Sequence, residues 1–303
     1  MYHGVAEDDF HGKFTLFDDF KLHLDLLERH FQLVSVQQIE DWLLHGATIP
    51  PNAVALTFDD GYRNLLDTAI PELLRRGHPA TIFLCTLGFQ DASRITWTDE
   101  VDCRMRSSPR LPDTLELPDA KIRLESLSPD TSARCVKEHL KTLSLESNNE
   151  AMVLIRETFP VDEREFLRCR LLAPSDLAGI NDSGISIGGH TEYHEILSRL
   201  SAGNQREDIR LNYESIRRVL AGNGPTHLAY PNGKLPDIGT AARKAVEDAG
   251  YRLAFTTQEG FIRPDTDPLM IPRISAGFLG MYAPEAWISA LPLRVWLHQA
   301  RHR

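Results

Sequence analysis

Ala53-Val54-Ala55-Leu56-Thr57-Phe58-Asp59-Asp60-Gly61-Tyr62 is the stretch around which the rest of the chain can be read. Six residues rich in small and apolar side chains run into two adjacent carboxylates and a glycine. The run is short, partly β-branched and bounded by a turn signal, which predicts a buried strand. A strand tip carrying two acids is costly to bury unless a cation or hydrogen bonds compensate.

On either side of this strand the pattern alternates. Phe17, Phe20, Leu24 and Leu27 predict an amphipathic helix over 17–31, and Phe31–Val36 a short strand. Gln37–Leu44 predicts a helix closed by Gly46. Residues 64–76 predict a helix ending at Gly77, with Pro71 as a kink or a new start. Ala80–Cys85 is the next strand, so this span is a βαβ unit with parallel pairing and a right-handed crossover. The rhythm resumes with a strand at Gly184–Gly188, a helix over Ser201–Leu220 and a strand at Thr226–Tyr230. A helix over Asp237–Ala249, a strand at Tyr251–Thr256 and a last strand at Leu269–Ile274 complete it. Between them, residues 94–180 are charged and broken by Pro109, Pro112, Pro118 and Pro129, with helix-like stretches at 131–143 and 149–159. They read as an insertion, a lid or rim wall.

Composition removes several classes of function. The chain has 303 residues, a net charge of −10 and 42% hydrophobic residues, the balance of a globular protein with no basic stripe for nucleic acid. No apolar run of 18 residues predicts a membrane span. As written, the start Met1-Tyr2-His3-Gly4 has no signal-peptide pattern, which gives a cytoplasmic expectation. Cys85, Cys103, Cys135 and Cys169 show no close pairing and read as reduced thiols.

Unusual polar residues follow three of the predicted strands: Asp59-Asp60, His190-Thr191-Glu192-Tyr193-His194 and Tyr230-Pro231-Asn232-Gly233. In parallel α/β folds the strand carboxyl ends form the site, so these segments should meet at one mouth. Asp60, His190 and His194 make a two-histidine, one-carboxylate set suited to zinc and similar divalent ions, with positions left open for water and substrate. An HxxxH pair alone is weak, and such histidines are more often surface or capping residues. Asp59, left off the ion, could take a proton from an activated water, or it could simply cap the following helix. Gly61 suits a tight turn in either case.

Thr57-Phe58-Asp59-Asp60-Gly61 and His190-Thr191-Glu192-Tyr193-His194 resemble the first two signature motifs of the polysaccharide deacetylases (carbohydrate esterase family 4, the chitooligosaccharide-deacetylase or NodB homology domain). Tyr2-His3-Gly4-Val5 and Leu228-Ala229-Tyr230-Pro231-Asn232-Gly233 are similar to a subgroup found with bacterial exopolysaccharide enzymes. The resemblance covers about residues 2–90 and 180–278. It implies an α/β fold, a distorted (β/α)7 barrel, here with a largely helical insertion, and a zinc-type ion, with Co2+ or Ni2+ as alternatives. It implies Asp59 as base and Asp60, His190 and His194 as ligands. An activated water would then attack the acetamide carbonyl of a sugar. The oxyanion would be held by the metal and a backbone N–H, here that of Asn232, in a substrate region that takes in Tyr62, Tyr230, Pro231 and Gly233.

Two departures from the family pattern leave alternatives open. Ala229 stands where many members carry an arginine that orients the base, and Arg273 either replaces it or makes an ordinary surface salt bridge. The late histidine acid has no match: His298 sits in the tail, and His3 is either the acid or a structural hydrogen-bonding residue. The chain is expected to form one barrel over 1–290, with the insertion at 94–180 and a tail at 291–303 that packs as a short terminal helix or touches a membrane or partner. Members usually have an apolar strand before the Tyr-His pair, for which Met1 leaves little room. The expected function is acetyl removal from an N-acetylated sugar or polysaccharide. The alternatives are a glycan- or metal-binding barrel without turnover, or a deacylase of a formylated or lipid-linked amino sugar.

Overall fold

The structure is a computed structural model that describes residues 1–8, 12–177, 179–180 and 183–276. The tail Leu291–Arg303, with His298, lies outside the described residues. Five parallel strands form one curled sheet: β1 (Leu56–Phe58), β2 (Ala80–Leu84), β3 (Ile185–Gly189), β4 (His227–Ala229) and β5 (Leu253–Phe255), in the order β1-β2-β3-β4-β5. Each is buried along nearly its whole length, as strands covered on both faces must be.

Two further staves extend the sheet without becoming regular strands. Tyr2 bridges Phe58 on one edge, and Ile271 bridges Phe255 on the other, both in parallel. The edges then meet, because Ala276 N–H donates to Met1 C=O at 2.8 Å and the Met1 amino group donates to Ile274 C=O at 2.8 Å. This is the seven-stave (β/α) barrel. The first and last staves are single bridges, the last where the sequence predicts a strand over Leu269–Ile274. Pro272, with no N–H to give, interrupts the last one.

Helices wrap the outside. They are α1 (Phe17–His30), α2 (Val36–His45), α3 (Ala69–Arg76), α4 (Trp97–Ser107), α5 (Pro129–Leu140), α6 (Leu145–Thr158), α7 (Ala202–Val219) and α8 (Thr240–Ala249). Ser35 starts α2 with a reciprocal cap on Gln38, so the strand expected over 31–36 shrinks to Gln32–Leu33, paired with Ala53–Val54. The helix expected over 64–76 is split into a 3₁₀ turn at Arg63–Leu66 and α3. Pro71 falls in the first turn of α3, where its missing N–H costs nothing. The expected helix over 237–249 is likewise cut by Gly239, whose φ of 76° is left-handed.

Phe20, Leu24, Phe58, Leu73, Ile82 and Ile185 belong to the main core between sheet and helices. The 97–169 region has its own small core of Val101, Met105, Val136, Leu140, Met152 and Ile155. It contains α4 and a hairpin of Thr114–Glu116 with Lys121–Arg123, neither of which the sequence reading anticipated. No helix among the described residues is long and apolar enough to cross a membrane.

Candidate metal centre

The three polar segments sit at the carboxyl ends of β1, β3 and β4. β1 ends at Phe58, so Asp59 and Asp60 are the first residues past the sheet, and both are buried. His190 follows β3 and is pinned to β2 by its N–H, 2.9 Å from Leu84 C=O. Its Nδ1 lies 2.6 Å from Ala229 C=O at the tip of β4. Only an N–H can face a carbonyl at that distance, so Nδ1 carries a proton, and a neutral ring would present the Nε2 lone pair to the interior. His194 N–H lies 3.2 Å from Thr191 Oγ, which folds the intervening turn back on itself.

The Nε2 atoms of His190 and His194 lie 3.2 and 3.0 Å from the same oxygen, Asp60 Oδ1. The three ligand atoms fall within 4.8 Å of one another. Neighbouring ligands of a tetrahedral ion with bonds of about 2.0–2.1 Å stand roughly 3.3 Å apart. A neutral His190 also sets its lone pair against a carboxylate oxygen, an arrangement that requires a cation or a proton between them. Neither Asp60 oxygen makes a hydrogen bond of ordinary geometry, nor does His194 Nδ1. Residue types, spacing and the convergence of both imidazoles on one Asp60 oxygen all suit a divalent ion.

The backbone here is strained in a consistent way. Among the described residues, seven non-glycines have left-handed φ, and four of them lie in the three strand-tip segments: Asp60 (69°), Thr191 (63°), His194 (58°) and Asn232 (57°). Each costs about 1–2 kcal/mol, and a β-branched residue such as Thr191 is rarely found there. Gly61 is left-handed too, and a Cβ on it would stand 2.6 Å from Leu84 Cδ2. The turn after the two aspartates therefore admits only glycine.

Asp59 takes a different partner. Arg273 reaches its two carboxylate oxygens through Nη1 and Nη2, both at 2.7 Å, and donates through Nε to Thr256 C=O at 2.9 Å. The guanidinium carbon lies 5.7 and 5.8 Å from the ring centres of Phe83 and Phe255, and the pair is out of solvent. Arg273 is thus a buried partner of Asp59 and not a surface salt bridge. Burial works to raise the Asp59 pKa, but Arg273 and His190 outweigh it and hold the carboxyl below its usual range.

Sequence reasoning missed Lys13. Its Nζ lies 2.8 Å from Asp60 Oδ2 and 3.3 Å from Asp99 Oδ1, and it also contacts the Tyr62 hydroxyl. Tyr62 in turn donates to Asp99 Oδ2 at 2.7 Å. No local signal marks a lysine in a short loop, and its partner Asp99 lies on α4, a helix that had not been anticipated. Burial alone would raise the Asp60 pKa, yet Lys13 and the two histidines carry it well below the ordinary value. A tethered ammonium beside the ligand set repels a divalent ion. Lys13→Met should therefore bind Zn2+ about tenfold more tightly by calorimetry, whereas weaker binding would show that Lys13 instead positions Asp60.

The remaining expected residues divide. His3 lies within electrostatic reach of Asp60, Lys13, Asp59 and His190, and burial pushes its imidazole down to about 4, so it is neutral at pH 7. Tyr62 is fully buried and tied to Asp99. Tyr230 is a core residue whose hydroxyl lies 3.2 Å from Leu269 C=O, which turns its ring away from the mouth. The Asn232 C=O accepts from Thr257 Oγ at 2.7 Å, while its N–H donates to no group among the described residues. A Cβ on Gly233 would stand 2.8 Å from Thr257 N, so that turn too depends on glycine.

The family model for polysaccharide deacetylase matches residues 129–254, which include His190, His194 and the turn at 230–233 but start beyond Asp59-Asp60. No curated protein matches the chain. Among solved structures, the Streptococcus pyogenes deacetylase PplD in complex with acetate is similar at a TM-score of 0.62 and 16% identity, over 96% of each chain. The de-N-acetylase from Aggregatibacter actinomycetemcomitans is similar at 0.56 and 15%, over 94% of this chain and 96% of that one. IcaB from Ammonifex degensii is similar at 0.54 and 18%, over 96% and 93%. At such identities the likeness is one of fold. The family model thus takes in the second and third segments, and the first brings Asp60 against the two histidines of the second.

Proposed function

We propose that the chain is a divalent-cation-dependent hydrolase that removes the acetyl group from an N-acetylated sugar or polysaccharide. The observation that carries this reading is the division of labour between the adjacent acids, with Asp60 turned to two imidazoles and Asp59 turned away to Arg273. The acetate recorded with the S. pyogenes deacetylase is the product this reaction would release.

Asp60, His190 and His194 would hold the ion, zinc by the chemistry of the set. When bound, it would lower the pKa of a water to about 7 and polarise the amide carbonyl. The chain's own residues do the rest. Asp59, kept ionised by Arg273, takes the proton of the attacking water at its carboxylate. The undonated Asn232 N–H faces the developing oxyanion. His3, neutral at pH 7, would accept the proton that Asp59 has taken from the water and pass one on to the leaving amine, so no further acid is needed. Its loss would separate that relay from a purely structural part.

The binding-barrel alternative drew on both the missing arginine and the missing late histidine acid, and Arg273 on Asp59 speaks against the first of these. Acetate release from chitooligosaccharides and other N-acetylated glycans, abolished by chelator and restored by Zn2+, is the test. A protein that binds Zn2+ yet frees no acetate from any of them would refute the reading.

Arg273 gives a pH prediction. The base works ionised, so the rate rises as pH passes the Asp59 pKa. Without the guanidinium, burial dominates and that pKa rises. Arg273→Met should therefore move the acid limb of kcat/KM to higher pH, and should destabilise the fold by about 3–5 kcal/mol because a buried carboxylate loses its partner. An unmoved limb would remove Asp59 from the role of base.

A further inference from the structure

A cavity of about 520 Å³ lies on the other side of the loop that carries the two histidines, walled by α4, α6, the 193–195 turn and the start of α7. Its size falls in the range of small-ligand sites, about 300–1,000 Å³. None of the residues assigned to the metal centre lines it, yet the two sites share walls. Tyr193 and Glu195 flank His194 in sequence, and α4 presents Trp97 to the cavity while its Asp99 reaches Lys13.

Trp97, Phe166 and Tyr193 supply flat apolar surface, and Asn148 an amide. Two buried polar atoms in the wall have no partner: the indole N–H of Trp97 and Oδ2 of Asp208. Asp208 is 3% exposed. Its other oxygen accepts the N–H groups of Glu192 and Tyr193 at 2.7 and 3.1 Å, which fixes the carboxylate in place. A buried acceptor and a buried donor left unmade are costly unless a ligand completes them.

Charge decides what kind of ligand. Arg156 is engaged by both oxygens of Glu100 at 2.8 Å, and the Arg94 guanidinium lies 5.9 Å from the Tyr193 ring centre. Asp208 therefore has no cation paired with it, and Glu195 adds a second acid to the same wall. Burial pushes the Asp208 carboxyl up to about 7, the behaviour of an acid that lacks a counter-charge.

We infer that this cavity is a second sugar subsite, and that it takes a residue bearing a free amino group, whose ammonium sits on Asp208 while its ring lies against Trp97 and Tyr193. Such a residue is what the proposed reaction leaves behind, so the inference rests on that reading. The enzyme would thus favour glycans that are already partly deacetylated.

Calorimetry on the Zn2+-loaded Asp59→Asn protein, which does not turn over, tests it. A glucosamine tetramer should bind about fivefold or more tightly than the N-acetylglucosamine tetramer, and Asp208→Asn should abolish that preference while Zn2+ affinity stays within about twofold. Equal binding of the two oligomers, or a preference that survives Asp208→Asn, would overturn the inference. If Asp208→Asn disturbs Zn2+ binding through the 192–194 loop, Trp97→Phe decides: weakened binding of the glucosamine tetramer supports the subsite, and unchanged binding refutes it. Amine binding in a protein that releases no acetate would strike the proposed reaction alone. Acetate release without amine preference would strike the subsite alone.

Discussion

Asp59→Asn is expected to lower acetate release by about a thousandfold, in the range of a lost general base, while Zn2+ binds as it does to the parent. The reason lies in the geometry. Asp59 is directed to Arg273 through two contacts of 2.7 Å, while the histidines converge on Asp60. Asparagine keeps one oxygen for Arg273 but cannot take a proton at neutral pH. The arginine loses a full counter-charge, so some loss of stability accompanies the change. A variant that loses Zn2+ affinity in parallel with activity would place Asp59 among the ligands. One that keeps a tenth or more of the parental rate would leave the proposed mechanism without a base.

His194→Ala is expected to act on the ion. Two imidazoles and one carboxylate make a three-ligand site, and losing one ligand should weaken Zn2+ binding by about a hundredfold or more, since even supporting residues around such sites are worth 10–100-fold. Binding to the folded state alone stabilises it, by about 2.7 kcal/mol when the ion is at a hundred times its Kd. Zn2+ should therefore raise the Tm of the parent, chelator should reverse the rise, and the variant should keep at most about 0.4 kcal/mol of that stabilisation at the same concentration. Equal Zn2+-induced shifts in parent and variant would place the ion elsewhere, and the cluster of Glu40, Asp41 and His45 on α2 offers the control site.

The barrel could be read from the sequence because its inner strands are short apolar runs, and several are followed by a helix with a glycine stop such as Gly77 or Gly250. Asp60, His190 and His194 could be read because each lies directly after such a strand, where parallel topology fixes direction. Arg273 was open because a strand predicted at Leu269–Ile274 does not say which acid its arginine meets, and Asp59 lies 214 positions away. Lys13 and Asp99 could not be found at all. Their contact joins a loop near the start to α4, and nothing in local periodicity reports a pairing across 86 positions. The cavity behind the histidine loop was hidden for the same reason, because its walls come from segments whose relative placement depends on the packing of 97–169.

The left-handed backbone at Asp60, Thr191, His194 and Asn232 has an evolutionary consequence. Glycine adopts that conformation without penalty, so a laboratory selection for heat tolerance alone would drift these positions toward it. Survivors with glycine at 60 and 194 would have given up two of the three side chains proposed to hold the ion.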